Sequence, residues 1–500
     1  MGEFLNFTVI GVALGSIYAI AATGLVVTYT TSGIFNLAHG TVAMISSFVY
    51  WQLRFDDGWG GQWPAPIALF VVIFVLAPLF GMVIERRIIR LLDGTSEITK
   101  LFVPIVLFVF IIGIVNWVWG DLEARSNQPF FGTSASFSIG DVAITAHQLI
   151  ALGLAVALAV GLRIYLYSTL SGTAMRAVVD DRELLELNGG RPDRASMLSW
   201  AIGFALAAVA GILVSSLPSA GALSTVALTL LVVNAFAAAI IGRLRSLPLT
   251  FVGAMILGLS RAYWDWISEA GSKWSWLSGL RTSLPVLVLF IALLVLPEER
   301  LRGAVVLRTR ERFNVPSMRQ SVVWAGLFML IMAALQAVVE PAPLNTLSTG
   351  IAVSIIALSL TLLTGYGGEI NLAPMTFAGI GAMVAFQVDV GPDGSPLSST
   401  MTLWALLWAA LITAAVGMLV ALPALRLRGL YLGLATFSFA VLVSNLVLNQ
   451  RESLQFNVPF YGDGEDWEIN LFTDGNMVLP RPEILGHDFR GAENQWKWFL

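Results

Sequence analysis

Residues able to do chemistry are scarce in this chain. Its 500 residues include no Cys and only three His. Disulfides and thiolate metal sites are excluded, and a His-rich metal centre is not expected. Four polar residues stand out because apolar runs flank them. Asn36 and His39 fall in the stretch 32–40, SGIFNLAHG, and Glu369 and Asn371 fall in 367–374, GGEINLAP. An Asn at such a place can cap a half-helix or satisfy backbone freed by a helix break, and it could also line a path for a polar solute. His39 could titrate or bind ligand, but Pro374 at the equivalent place argues against a paired role. Glu369 is a functional hypothesis as an acid beside a span, although the inner end of a span also allows plain solvation. These four residues are the candidate translocation set. No paired carboxylates, Ser/His pair or metal constellation lies inside the apolar runs, so no catalytic residue is proposed. No Gly-x-x-x-x-Gly-Lys-Ser/Thr occurs, so no nucleotide site is expected on this chain.

The second chemical stretch is 171–190, SGTAMRAVVDDRELLELNGG. Its apolar positions, Met175, Val178, Val179, Leu184, Leu185 and Leu187, predict a short amphipathic helix broken at Asp180-Asp181. Gly189, Gly190 and Pro192 end it. Such a helix, lying along a membrane surface, suits docking into a groove on a partner protein. A solvated connecting loop is the plainer alternative.

The elements that must position these residues are membrane spans. The chain is 57% hydrophobic and 12% charged, with a mean hydropathy of +0.80. Soluble domains carry about 25% charged residues, so this chain cannot cover a soluble surface and belongs in a lipid bilayer. Nucleic acid is not an expected partner. Runs long enough to span are predicted near 6–30, 34–53, 65–84, 101–119, 147–167, 197–217, 224–242, 247–266 and 283–297. A charged connector, 298–319, follows, and then spans near 320–339, 346–366, 370–388, 402–424 and 429–449. With the N-terminus outside, inner loops hold 19 of the 28 Lys and Arg, in keeping with the positive-inside bias. Trp51, Trp59, Trp63, Trp117, Trp119, Trp264, Trp266, Trp274 and Trp276 cluster at the predicted outer span ends, where interface anchors belong. The acidic stretch 450–495 is then an outer loop.

The chain repeats itself. At one fixed offset, 36 to 371, Gly15, Ile20, Ala22, Leu25, Gly33, Asn36, Leu37, Ala38 and Ala43 meet Gly350, Ile355, Ala357, Leu360, Gly368, Asn371, Leu372, Ala373 and Ala378. Nine spans carry the chain from outside to inside. One extra span, 320–339, returns it, so the two repeats are expected to be parallel. Gly11-x-x-x-Gly15, and Gly379 with Gly381, predict close helix packing.

The run 34–40 with Gly15-Ser16-Ile17-Tyr18-Ala19 before it resembles the start of the H-type permease subunit of branched-chain amino acid ABC importers. The segment 171–189 is similar to that family's cytoplasmic coupling loop. Residues 365–368, 378–382, 422–431 and 435–436 resemble the M-type partner subunit. Departures are Asn188-Gly189-Gly190 in place of Gly-Ile-Asn, Pro374 and Met375 in place of His-Gly, and Glu369 in place of Gln. The second repeat lacks a coupling loop. Trp496–Leu500 looks like the opening of an unfinished span, so the second repeat is expected to be truncated.

The resemblance implies an all-α polytopic membrane protein with two parallel helical repeats of the ABC importer permease type. Residues 1–298 would form a first, H-type-like repeat, 299–340 a cytoplasmic connector and extra span, and 341–500 a second, M-type-like repeat. It further implies a prokaryotic cell membrane, ATP hydrolysis on separate cytosolic subunits and an extracytoplasmic substrate-binding protein. Coupling to the ATPase would pass through Gly172, Met175, Arg176, Asp181, Glu183 and Gly189. The substrate would be a branched-chain amino acid or a relative such as urea or a short amide. The competing readings are an ion-coupled secondary transporter, which would need ionisable residues inside its spans, and a membrane-embedded enzyme.

Overall fold

The computed structural model describes residues 2–56, 61–92, 95, 97–120, 125–132, 136–139, 142–217, 222–244, 246–268, 280–295, 317–338, 341–389, 403–424, 427, 430–448, 454–456, 467–469, 483–484 and 487–488. Most of the Arg-rich connector 298–319, Trp59, Trp274, Trp276 and the expected opening of a span at Trp496–Leu500 lie outside the described residues. The chain divides into two units, Met1–Leu296 and Pro297–Leu500.

In the first unit α1 (Gly2–Ser32) runs 31 residues, about 46 Å at 1.5 Å per residue. It is followed by α2 (His39–Phe55). The third apolar run is α3 (Ala65–Phe70), a π-helical turn Val71–Leu76 and α4 (Ala77–Arg87). Next come α5 (Glu97–Trp119) and α6 (Ala146–Ser168), then the short α7 (Leu170–Asp180) and α8 (Arg182–Leu187). The unit closes with α9 (Pro192–Ser215), α10 (Thr225–Thr229), α11 (Leu231–Ile241), α12 (Leu247–Ile267) and α13 (Leu280–Val295). Strands in the described part of this unit are one antiparallel hairpin, Ser136–Ile139 with Val142–Thr145.

The core is built on α1, α2, α9 and α11. The middles of these helices are apolar and enclosed by protein, as expected of a central helix. α5 and α6 leave Val106, Phe110, Val160 and Ile164 exposed, the faces that lipid would cover. Backbones approach closely where side chains are absent. A Cβ on Gly258 would lie 2.3 Å from the Gly15 nitrogen and 2.4 Å from the Gly11 carbonyl oxygen. The small-residue pattern 11–15 therefore packs against α12, as expected.

Two predicted spans of the first unit differ. The run 34–53 begins as a helix only at His39, and α2 has 17 residues, about 25 Å, short of a hydrocarbon core of about 30 Å. The run 224–242 is cut into α10 and α11 at Leu230. Hydropathy measures composition, not continuity. A broken helix keeps its apolar side chains, and its freed backbone is tolerated where protein encloses it.

The second unit contains α14 (Met318–Val338), α15 (Pro341–Leu360) with a π-helical turn Thr361–Tyr366, and α16 (Pro374–Asp389). α17 (Leu403–Ala424) and α18 (Leu430–Val443) follow, the latter continued by a π-helical turn Ser444–Leu448. Two short hairpins lie beyond, Leu454–Phe456 with Trp467–Ile469 and Glu483–Ile484 with His487–Asp488. Among the described residues eight helical runs are long and apolar enough to cross a membrane. The chain is a helical, multi-pass membrane protein.

Candidate functional site

The first helix break is made by Gly33. Its φ is +64°, a left-handed value that suits glycine. Its N–H donates to the Tyr29 carbonyl at 2.8 Å, ending α1 as an αL cap. The chain then runs irregularly through Ile34–Ala38 until α2 starts at His39. Phe35 holds this stretch in the core, its ring 4.7 Å from Tyr29 and 5.4 Å from Phe236. The second break falls in register. Gly368 has φ +70°, and α16 starts at Pro374, the position equivalent to His39. The repeat read from nine identities is thus also a repeat of backbone.

The polar residues of the two breaks behave differently. Asn371 Oδ1 accepts from the Ala373 N–H at 2.8 Å, and Thr436 Oγ1 accepts from the Leu372 N–H at 2.9 Å. Asn371 is therefore a local backbone cap. Asn36 is not. α2 has Ala38 at its N-cap and no side-chain cap, and neither polar atom of the Asn36 side chain has a hydrogen-bond partner. His39 makes no hydrogen bond of good geometry at either ring nitrogen, although the Ala21 carbonyl faces its imidazole. Both residues are 1% exposed. The imidazole lies over Gly24, whose Cβ would stand 2.9 Å from His39 Cε1 and 2.9 Å from the Gly203 carbonyl oxygen. The break also touches the α10–α11 break: a Cβ on Gly40 would sit 2.2 Å from the Thr229 carbonyl oxygen. Two interrupted helices thus meet in one apolar core beside the unpartnered Asn36 amide and the buried His39 ring. Buried polar groups without partners are uncommon in native proteins. Glu369 is exposed, and its N–H donates to the Leu363 carbonyl at 3.2 Å, so it does not share this buried setting.

The second candidate is the α7–α8 segment. Thr169 turns the chain out of α6, accepting from the Gly172 N–H at 3.0 Å through Oγ1. Gly172 lets α7 fold back onto α6, because a Cβ there would lie 2.3 Å from the Tyr165 carbonyl oxygen. The predicted break holds, with its register defined: Asp181 caps α8, its Oδ1 accepting from the Leu184 N–H at 2.9 Å. Gly189, at φ +79°, and Gly190, whose N–H donates to the Leu185 carbonyl, end α8.

Met175 is the correction here. It is 1% exposed and forms a small core with Val178 and Ala195, against Tyr165, Leu166 and Ile202. It anchors α7 to the bundle and cannot face a partner. The outward face carries Leu170, Leu184 and Leu187, at 92%, 55% and 85% exposed. Arg176 lies beside it with its guanidinium 4.3 Å from the Tyr167 ring centre, and Glu183 is exposed. An amphipathic pattern shows that a helix has two faces but not which one the bundle takes.

Sequence reasoning missed a set of ion pairs beneath this segment. Glu85, at the end of α4, is 1% exposed. Its Oε2 lies 2.9 Å from Arg90 Nη2, and Arg90 Nη1 lies 3.1 Å from Asp193 Oδ2. Asp193 Oδ1 takes Arg182 of α8. The available signal was Glu85 itself, the one acid in the apolar run 65–92. A cleft of about 570 Å³ opens here, lined by Arg86, Arg90, Arg182, Arg191 and Arg194 with Glu186 and Asp193.

A family model described as branched-chain amino acid transport system / permease component matches residues 7–296 and 342–473. The high-affinity branched-chain amino acid transport system permease protein LivH of Escherichia coli K12 is 30% identical over 271 residues, 52% of this chain and 85% of that protein. BraD of Pseudomonas aeruginosa, a permease protein of the same description, is 28% identical over 269 residues, 52% and 86%. LivM of Salmonella typhimurium is 28% identical over 145 residues, 29% of this chain and 27% of that protein. No solved structure matches the chain.

Proposed function

The chain belongs to the branched-chain amino acid transport permease family, whose model matches it twice, and on that premise we propose how it works as an ATP-driven importer. It is a membrane permease and not an enzyme. In our reading ATP is consumed on separate cytosolic subunits, and no cofactor is bound by this chain. A soluble binding protein delivers solute on the opposite face. The solute is a branched-chain amino acid or a small polar relative such as urea. The N-terminus lies outside, as the basic loops suggest.

The observation that carries the mechanism is the division of the α7–α8 segment into two faces. Met175 and Val178 fix it to the bundle, while Leu170, Leu184 and Leu187 are exposed on short, capped helices. Exposed leucines on capped helices are suited to a groove on a partner. Motion of that partner would then shift α7 and α8, and the bundle would rock between two accesses. Asn36 and His39 are our choice for the path, because a rearrangement that opened the two touching breaks would give their unpaired atoms something to bind.

The test is purification of the intact permease with its partner chains. ATPase subunits should co-purify, and substrate with binding protein should stimulate their hydrolysis. A permease that purifies folded, without ATPase subunits, and transports on an ion gradient would favour the secondary-transporter reading and sink this one.

A further inference from the structure

We propose that Asp193 is a positioning residue that converts displacement of the α7–α8 docking segment into displacement of α9. The inference rests on the docking reading just given. α8 has no fully buried side chain, and Leu185 is its contact with the Met175 core. A polar tie runs from Arg182 to Asp193. Asp193 divides its carboxylate, with Oδ1 on Arg182 and Oδ2 on Arg90. Arg90 is bound in turn to buried Glu85 and also donates to the Asp193 carbonyl at 3.4 Å. Thus α8, α9 and the 3-10 turn Ile89–Leu92 that follows α4 meet at one side chain.

Exposed ion pairs contribute little to stability, commonly 0–1 kcal/mol. Asp193 is half exposed, so stability is a poor explanation for its arrangement with two guanidiniums. Position is a better one. Asp193 lies in the first turn of α9, Gly203 comes ten residues later, roughly 15 Å along the helix, and its carbonyl faces Gly24 beside His39. A pull on Arg182 therefore acts on the helix that walls the buried break. Arg90 and Glu85 form the fixed side against which that pull works.

The experiment uses the assembled transporter in proteoliposomes, with Asp193→Asn and, separately, Arg182→Gln and Arg182→Lys. Three quantities are read: ATPase subunits retained on purification, ATP hydrolysed, and solute moved per ATP. Asp193→Asn and Arg182→Gln should retain the subunits and hydrolysis while solute per ATP falls at least tenfold, with Arg182→Lys falling less. Arg182→Gln leaves the Arg90–Glu85 pair untouched, so it stands in if Asp193→Asn folds poorly. Unchanged solute per ATP, or a loss of uptake matched by an equal loss of hydrolysis, would overturn the proposal. Absence of ATPase subunits from the unmutated permease would instead overturn the docking reading beneath it.

Discussion

Replacing Gly40 by Ala should destabilise the first unit through a single added methyl group. The Cβ would lie 2.2 Å from the Thr229 carbonyl oxygen, 2.9 Å from Val232 Cβ and 3.1 Å from the Thr229 carbonyl carbon. Ordinary carbon contacts begin near 3.5 Å, so α2 and the end of α10 must part by about 1 Å. Thr229 meets the methyl with backbone, which no rotamer change can move away. Overpacking in a tight core costs about 1–3 kcal/mol, and this contact belongs at the upper end. Better helix propensity returns up to about 1 kcal/mol, leaving a net loss of about 2 kcal/mol. At about 2–4 °C per kcal/mol, the midpoint should fall by roughly 4–8 °C. Thermal unfolding in nanodiscs, followed by tryptophan fluorescence, measures it. The control is Gly113→Ala on α5, where a Cβ meets nothing within 4 Å; its midpoint should stay level or rise. Equal midpoints for the two variants would refute the claim that the two breaks abut.

Leu184→Asp with Leu187→Asp should abolish co-purification of ATPase subunits while the permease elutes as a folded monodisperse species; retained subunits would remove the docking role from that face. Met175→Asp should instead unfold the α7 junction, because it places a charge in a closed apolar cluster, and normal yield and melting would contradict its burial. Arg90→Ala strips enclosed Glu85 of its ion-pair partner, which costs about 3 kcal/mol at the low end for a broken buried pair. Adding Glu85→Gln should recover most of that loss in a double-mutant cycle, and additive losses would show that the pair is not coupled. His39→Leu should hold the melting point within about 3 °C, since the ring's one polar contact is the Ala21 carbonyl and an apolar side chain suits the same core, yet lower uptake severalfold; unchanged uptake would leave His39 as packing.

The helical membrane architecture was legible because lipid demands long uncharged runs, and 65–84 or 197–217 could be little else. The repeat was legible because its identities lie in register, Gly33 with Gly368 and Asn36 with Asn371. The left-handed turns and the late restarts at His39 and Pro374 came from the structure. The shortness of α2 and the cut at Leu230 were hidden, because an enclosed broken helix has the same hydropathy as a spanning one. The functions of Asn36 and Asn371 looked alike in sequence and diverged in structure. Thr436, 64 residues beyond Leu372, helps complete the second turn, and the first turn has Ala38 where a side-chain cap would sit. The Glu85–Arg90–Asp193–Arg182 relay was beyond sequence reasoning, since 103 residues separate Arg90 from Asp193 and only the packing of α4 on α9 brings them together. Met175 needed the fold as well, because periodicity cannot choose which face of α7 turns inward.

The central claim is that this chain is a permease driven by ATP on partner subunits. The direct measurement is uptake of labelled leucine, with urea as a second probe, into proteoliposomes holding the chain, its ATPase subunits and its binding protein. The account predicts uptake that requires ATP inside the motor compartment, depends on the binding protein, and persists when ionophores collapse the proton and sodium gradients. Uptake that survives without ATP and disappears with those gradients would contradict it.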